Sequence, residues 1–406
     1  MTAHDRAAAA AEGSIYVTGG GSGNIGHLGI AADGTLSPLP GAPYATEAVP
    51  AAVVASPDGA RLYVTSYGSD SVSGFRIGVD GSLAEFPGSP YPAGKGAGGA
   101  VVTPDGRRLY VTNFHADSVS GFEITTDGSL AQLPGSPYDV AWTAGRGRVA
   151  RLLAQALGTR FVATWVAGRS WLSPLLSLFY DRVGDHVAGS WPGGVTVTPD
   201  GQHLYVATRH FVGGFRVGED GSLAALPGSP YAAGEETYDV TVTPGGRYLY
   251  ASDHTGSVDG FEIGAGGTLT RVPGSPFAAE GRPFAVTVTP DGQRVYVACG
   301  PSKTVCGFGI AADGSLTPLP GSPYRAGDHP VALAVAPSDG LYVADQLSGE
   351  ISGFRIGADG ALAGLPGSPW KSGVAAPRWR SLQVRPPASG APAAASVPVR
   401  SRAQQV

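Results

Sequence analysis

The chain has 406 residues, of which 63 are glycine and 34 are proline, a composition that suits short strands joined by many turns. Its formal net charge of −5 argues against a nucleic-acid partner and against an anionic membrane surface. No apolar run reaches the ~18–20 residues of a membrane span. The first 13 residues lack the long apolar stretch of a signal peptide, so we expect a cytoplasmic protein.

The two ends of the chain are predicted to share one sheet. Residues 1–13 are expected to form a disordered leader, and residues 14–44 hold only three strands, at 15–18, 25–30 and 36–39. The missing first strand is found at residues 381–386, which align with the first strands of the later units. Strands from both ends that complete one sheet would close a ring and leave no exposed sheet edge.

The next two units, 49–91 and 96–138, are complete. In the second of them four apolar strands are separated by Pro-Asp-Gly and Asp-Gly turns, the turn residues typical of hairpins. A closing Pro-Gly-x-Pro-aromatic motif has its first proline at Pro40, Pro87, Pro134, Pro227, Pro273, Pro320 and Pro366. A four-strand unit repeated at a nearly constant interval predicts an all-β fold, a β-propeller of four-stranded antiparallel blades.

One interval, from Pro134 to Pro227, is about twice the others. The unit at 139–180 lies in it and has decayed, so that 139–191 is predicted to be irregular, with a short amphipathic helix at 148–157. Regular units resume at 192–231, 235–277, 281–324 and 328–370, and a disordered tail is expected at 387–406. The spacing favours eight blades, one of them distorted, within a single domain at 14–386. Seven blades follow if the decayed unit is extruded.

The sequence Tyr110-Val111-Thr112-Asn113, with partial copies at 16–18 and 63–65, precedes a Ser-Gly-Phe strand and an Asp-Gly-Ser-Leu turn. These motifs resemble the YVTN-repeat propellers and, more narrowly, the seven-bladed lactonase family that includes the propeller-type 6-phosphogluconolactonases. The resemblance covers roughly residues 14–386. It implies a hydrolase of carbohydrate metabolism that opens a sugar lactone such as 6-phosphogluconolactone. We expect no cofactor and no metal, and we expect a monomer.

The turns of the repeat divide into a uniform set and a divergent set. The first-to-second and third-to-fourth turns share one face of a propeller and are nearly identical in every unit, as structural turns would be. The loops of the other face differ between units, and function in a repeat protein usually lies where its copies differ. The candidate catalytic residues there are His329, Asp328 and Glu280, and the candidate substrate-binding residues are Arg282, Arg209, His210, Asp253, His254 and Arg378.

These groups could bind and hydrolyse an anionic lactone, with one base activating water and the cations holding the anion and the developing oxyanion. Arg282 and His329 each precede a first strand in neighbouring units, so ring symmetry would bring them together near the mouth of the central funnel. Arg282 could bind phosphate in a bidentate manner, and His329 could act as general base. The alternative is a non-catalytic propeller that binds a small molecule or a protein, with these residues as solvated loop charges.

Two further patterns concern packing. Cys299 and Cys306 could face each other across a hairpin, and two reduced, packed cysteines are favoured over a disulfide in a cytoplasmic protein. A tyrosine recurs in the second strand and a phenylalanine in the third strand of nearly every unit, at one register. This regularity predicts contacts between blades rather than a ligand site.

Overall fold

The computed structural model describes residues 13–140, 190–374 and 381–385. Over these residues the regular elements are strands, numbered β1 to β35 in chain order, and they form seven antiparallel sheets. In each sheet four strands follow one another from the axis outward, and a short fifth strand pairs with the third. No helix that could cross a membrane occurs in this part of the chain.

Each position in the blade is filled by one strand from each of the seven sheets. The first strands, nearest the axis, are β5 (Pro50–Ala55), β10 (Ala97–Val102), β15 (Val195–Val197), β20 (Thr237–Val242), β25 (Pro283–Val288), β30 (Pro330–Val335) and β35 (Leu382–Arg385). The second strands are β1 (Gly13–Gly19), β6 (Arg61–Ser66), β11 (Arg108–Asn113), β16 (His203–Thr208), β21 (Tyr248–Asp253), β26 (Arg294–Cys299) and β31 (Gly340–Asp345). The third strands are β2 (Asn24–Ile30), β7 (Ser71–Ile77), β12 (Ser118–Ile124), β17 (Phe211–Val217), β22 (Ser257–Ile263), β27 (Thr304–Ile310) and β32 (Glu350–Ile356).

The outer strands are short. The fourth strands are β3 (Leu36–Pro38), β8 (Leu83–Glu85), β13 (Leu130–Gln132), β18 (Leu223–Ala225), β23 (Leu269–Arg271), β28 (Leu316–Pro318) and β33 (Leu362–Gly364). The fifth strands are β4 (Tyr44–Ala45), β9 (Tyr91–Pro92), β14 (Tyr138–Asp139), β19 (Tyr231–Ala232), β24 (Phe277–Ala278), β29 (Tyr324–Arg325) and β34 (Trp370–Lys371). The sequence did not indicate the fifth strands, each of which begins at the aromatic residue of the closing motif. We number the blades 1 to 7 from the blade that contains β1.

The uniform turns are fixed by short-range hydrogen bonds, as structural turns are. In blade 3 the Asp105 carboxylate accepts bonds from the Arg107 N–H, at 3.0 Å, and from the Thr103 hydroxyl, at 2.5 Å. The following Gly106 has a φ of 70°, which a residue without Cβ adopts at little cost. The same pattern recurs at Asp200 and Asp291.

A ring of hydrogen bonds connects every blade to the next. The phenolic hydroxyl of the second-strand tyrosine donates to a glycine carbonyl in the Asp-Gly or Gly-Gly turn of the neighbouring blade. The pairs are Tyr16 to Gly81, Tyr63 to Gly128, Tyr110 to Gly221, Tyr205 to Gly267, Tyr250 to Gly314, Tyr296 to Gly360 and Tyr342 to Gly34. All seven tyrosines are fully buried, which confirms the predicted packing between blades.

This ring settles the number of blades. Tyr110 of blade 3 bonds directly to Gly221 of blade 4 at 2.7 Å, and Leu204 and Phe215 of blade 4 pack in one core cluster with Tyr110. Blades 3 and 4 are therefore direct neighbours, and no interface is left between them for another sheet. The prediction of eight blades is wrong, and the alternative of seven is confirmed. Most of the decayed unit, with the predicted helix at 148–157, lies outside the described residues.

The predicted closure by the two ends of the chain is confirmed. Strand β35 pairs antiparallel with β1, so that Val384 lies opposite Ile15. The Thr18 N–H donates to the Ser381 carbonyl at 3.2 Å, and the Ser381 N–H donates to the Thr18 hydroxyl at 2.9 Å. Blade 1 is thus completed by β35 and takes its place between blades 7 and 2. The expected leader and tail lie almost wholly outside the described residues.

Candidate functional site

A cavity of about 510 Å³ lies on the axis of the ring, between the first strands of the seven blades. Every blade contributes to its wall, blade 1 through Ser381 and Leu382. Its size is that of a small-molecule site. The cavity opens on the face of the divergent loops, because Tyr67, His254 and Gln346, which directly follow second strands, also line it.

The wall of the cavity has two unlike halves. At the same two registers of the first strand, blades 2 to 4 carry the small pairs Ala51-Ala52, Gly98-Gly99 and Gly193-Gly194. Blades 5 to 7 carry Tyr238-Asp239, Phe284-Ala285 and Val331-Ala332 there. The small residues leave the space open, and the larger residues opposite them supply aromatic surface and charge.

The mouth carries charged groups on the side of blades 5 to 7. Glu236, Arg282 and His329 each directly precede or begin the first strand of their blade. The Arg282 guanidinium bonds to the Glu236 carboxylate, with Nη2 and Oε2 2.9 Å apart, and both side chains stay partly exposed to solvent. Arg282 and His329 line the cavity from adjacent blades.

His329 is held in place and uncharged. Its φ of 65° is unusual for a residue with a side chain, and its carbonyl accepts a bond from the Gln346 N–H at 2.9 Å. Partial burial lowers the pKa of the imidazole, although the neighbouring Asp328 acts in the opposite direction. An imidazole whose pKa lies below its usual 6.5 is neutral at pH 7 and can accept a proton.

His254 supports the aromatic part of the wall. Its ring stacks on Tyr238 at a centroid distance of 4.3 Å and lies 4.5 Å from the Phe284 ring. Burial, followed by the charge of Arg282, lowers the pKa of His254 to about 3, so this imidazole is neutral over the physiological range. Within the described residues its buried Nε2 has no hydrogen-bond partner.

The opposite side of the mouth is aromatic. Tyr67 and Phe114 line the cavity in blades 2 and 3, with ring centroids 6.1 Å apart, and Phe114 stacks on Trp191 at 5.8 Å. The Tyr67 hydroxyl and the His115 Nε2 are 2.5 Å apart. A ligand in the cavity would therefore meet aromatic side chains on this side, and both aromatic and charged side chains on the side of blades 5 to 7.

The structure brings together three of the residues proposed from the sequence. His329, Arg282 and His254 all line the cavity. Arg209 is not among the lining residues, and its guanidinium covers the Trp191 ring at 4.9 Å. His210 is exposed and contacts the edge of Phe211.

The remaining proposed residues lie away from the cavity wall or outside the described chain. The Asp328 carboxylate forms an ion pair with Lys303 at 3.0 Å. Glu280 is exposed, and its carboxylate accepts a long bond, 3.4 Å, from Thr304. Asp253 is buried and organises its own turn, since it accepts bonds from the N–H groups of Glu236 and Thr255. Arg378 lies outside the described residues.

Sequence reasoning missed Asp239. Its carboxylate accepts bonds from the N–H groups of Val240, at 2.9 Å, and Val286, at 3.1 Å. Burial raises the pKa of this carboxyl to about 6, and the two N–H groups oppose that effect. An alignment of the first strands could have found it, because the other blades carry a small residue at this register: Ala52, Gly99, Gly194, Ala285, Ala332 and Ser381. The sequence prediction considered only the divergent loops, and Asp239 lies in a first strand that otherwise fits the repeat.

The cysteines belong to the packing of blade 6. Both are buried free thiols, with Sγ atoms 3.4 Å apart, at the register where blade 3 has Asn113 and Ser120. The Cys306 sulfur accepts a bond from the Glu280 N–H, as Ser120 does from the Gly94 N–H in blade 3. In the part of the chain that the structure describes, no three metal-binding side chains converge.

The fold and the cavity define a seven-bladed β-propeller with an axial polar site. Residues 24–133 match the family model described as Lactonase, 7-bladed beta-propeller. This match confirms the resemblance to the lactonase-family propellers that the sequence motifs indicate.

Solved structures extend the likeness to almost the whole chain. A proposed 6-phosphogluconolactonase of Bacteroides uniformis is 17% identical with a TM-score of 0.70, over 92% of this chain and 99% of that one. The periplasmic gluconolactonase of Pseudomonas aeruginosa is 18% identical with a TM-score of 0.67, over 92% of this chain and 99% of that one. A protein of unknown function from Desulfotomaculum acetoxidans is 13% identical with a TM-score of 0.64, over the same shares. At these identities the likeness establishes the fold alone. A comparison with curated proteins gave no significant match.

Proposed function

We propose that this propeller hydrolyses the ester bond of an anionic sugar lactone, of the 6-phosphogluconolactone kind, in the axial cavity. The observation that carries the proposal is that Arg282 and His329, a cation and a neutral imidazole from adjacent blades, line one cavity of small-molecule size. The family match at 24–133 and the names of two similar structures support the same reaction class.

His329 is the general base of this proposal. Opening a lactone requires water to attack the ester carbonyl, after which the ring C–O bond breaks and a hydroxy acid is released. A neutral imidazole can take the proton from the attacking water and return it to the leaving alkoxide. Burial keeps His329 in that state at pH 7, and the bond from Gln346 fixes its backbone.

Arg282 is the anion-binding group of this proposal. A guanidinium has five N–H donors, so the ion pair with Glu236 leaves donors that can reach a phosphate or carboxylate on the ligand. Arg282 is half-exposed at the mouth. This position suits the charged group of a ligand, which would enter the cavity last and stay close to water.

A second candidate function is binding without catalysis. The aromatic side of the mouth, formed by Tyr67 and Phe114, favours this candidate because ring faces bind a ligand without taking part in proton transfer. The separation of Asp328 and Glu280 from the cavity favours it too, since fewer catalytic groups remain near His329.

Hydrolysis of three lactones distinguishes the two candidates. The rate of acid release from 6-phosphogluconolactone, gluconolactone and the unsubstituted δ-valerolactone is measured at constant pH, and the spontaneous rate is subtracted. We expect acceleration of both sugar lactones, with the higher kcat/KM for the phosphorylated one. The absence of any rate above spontaneous hydrolysis on all three would refute the hydrolase and leave the binding protein.

A further inference from the structure

Asp239 places a fixed carboxylate on the wall of the axial cavity. It lies three residues beyond Glu236 along the chain, so it is deeper in the cavity than the charged groups of the mouth. The bond from Val240 comes from its own strand, and the bond from Val286 comes from blade 6. The carboxylate is therefore held between two blades, while the residue stays partly exposed in the cavity.

The neighbouring blade leaves room for this carboxylate. Gly194 of blade 4 lies so close that a Cβ placed on it would collide with the Asp239 Oδ1. The small residue pairs of blades 2 to 4, described above, line the cavity on the same side as Gly194. The space in front of Asp239 is thus bounded by backbone and methyl groups rather than by side chains that could neutralise it.

The hydrogen-bonding capacity of Asp239 is only half used. An ionised carboxylate has about four acceptor positions, and the two N–H groups occupy two of them, one on each oxygen. In the described part of the chain, no cation and no side-chain donor bonds to either oxygen. A ligand that fills the cavity must bring donors, because an acceptor that loses its water without gaining another donor costs free energy.

We infer that Asp239 binds neighbouring hydroxyl groups of the ligand, one to each carboxylate oxygen, so that the deep end of the cavity selects a polyhydroxylated ring or chain. The inference builds on the proposed function and adds to it, because it orients the ligand with its hydroxyls inward and its anionic group at Arg282. Two adjacent hydroxyls match two fixed oxygens that each retain a free acceptor position, whereas a single ammonium group would satisfy them less evenly.

The test is the affinity of the full-length chain for 6-phosphogluconate and for 6-phosphonooxyhexanoate, which keeps the six-carbon chain, the carboxylate and the phosphate but lacks the hydroxyls. Asp239→Ala is the informative variant, since alanine occupies this register in three other blades and should be tolerated. Asp105→Ala, in a turn on the opposite face, is the control. Affinities are measured by calorimetry, and the melting temperature of each variant confirms folding.

We expect Asp239→Ala to weaken 6-phosphogluconate binding at least tenfold, because the variant removes both of the charged acceptors that the hydroxyls would use. Binding of the analogue without hydroxyls should change less than twofold. Equal weakening of both ligands, no weakening of either, or no binding of 6-phosphogluconate to the unaltered chain would overturn the inference. The inference would also be overturned, in favour of an amine ligand, if Asp239→Ala weakened the binding of 1,5-diaminopentane more than the binding of 6-phosphogluconate.

The hydrolysis assay separates this inference from the proposed function. Selective loss of 6-phosphogluconate binding in Asp239→Ala, without lactone hydrolysis by the unaltered chain, would uphold the hydroxyl site and refute the hydrolase. If the unaltered chain hydrolyses the lactone but Asp239→Ala binds 6-phosphogluconate as tightly as the unaltered chain does, the hydrolase is upheld and the hydroxyl site is refuted.

Discussion

Replacement of Leu382 by alanine tests whether the C-terminal strand closes the ring. Leu382 is 6% exposed and belongs to the core cluster that joins blade 1 to blade 7. Leucine-to-alanine changes in cores cost about 2–5 kcal/mol. Because β35 is only four residues long and can relax, we expect a value near the lower end, about 3 kcal/mol. A loss of this size is a large part of the ~5–15 kcal/mol that stabilises a typical domain.

The assay is urea unfolding followed by circular dichroism and by tryptophan fluorescence. Leu347→Ala is the matched control, because Leu347 is 58% exposed and its truncation should cost less than about 0.5 kcal/mol. Leu382→Ala should lower the unfolding free energy with both probes together, since the ring unfolds as a unit. A loss no greater than that of Leu347→Ala would refute closure by β35.

Three other predictions concern the hydrogen bonds between blades, the buried His27 and the proposed base His329. Tyr110→Phe removes the buried bond between blades 3 and 4, so urea unfolding should show a loss of about 1–3 kcal/mol, with a smaller loss for Tyr91→Phe, whose hydroxyl bonds within its own blade. Burial lowers the pKa of His27 to about 4, so the unfolded chain binds its proton first and stability falls from pH 6.5 towards pH 4. His27→Phe should reduce that loss by about 3 kcal/mol in unfolding at pH 7 and pH 4, and an equal loss in both proteins would contradict this. Because the pKa of His329 is lowered, kcat/KM for lactone hydrolysis should fall only below pH 6.5, and an acid limb centred above pH 7 would exclude His329 as the base.

The sequence predicted the fold well because the repeat is a local signal. Turns such as that at Asp105 and the strand pattern of each unit are encoded within a few residues, so their positions could be found from the chain alone. The pairing of β35 with β1 could be predicted because the unit at 14–44 lacks one strand and residues 381–386 match the first strands of the other units. The number of blades could not, since it depends on whether Tyr110 meets Gly221 across the interface of blades 3 and 4.

The candidate site was predicted only in part, for a reason that is also physical. Loop position placed Arg282 and His329 correctly next to the axis, but it could not tell which way Asp328 would turn, and this carboxylate pairs with Lys303 instead. The cavity is formed largely by first strands rather than by loops. Asp239 therefore escaped a search for divergent loops, although its contrast with the small residues of the other blades was present in the sequence.

The most direct measurement is the steady-state hydrolysis of 6-phosphogluconolactone and gluconolactone by Arg282→Ala and His329→Ala, with Asp105→Ala as the control. Loss of one charged contact at about 1.5–3 kcal/mol should raise KM roughly 10- to 100-fold for the phosphorylated lactone in Arg282→Ala. The plain lactone should be affected far less. Loss of the proposed base in His329→Ala should lower kcat about 100-fold or more on both lactones with little change in KM. If both variants instead hydrolyse the two lactones as Asp105→Ala does, the axial cavity at Arg282 and His329 is not the site of the reaction.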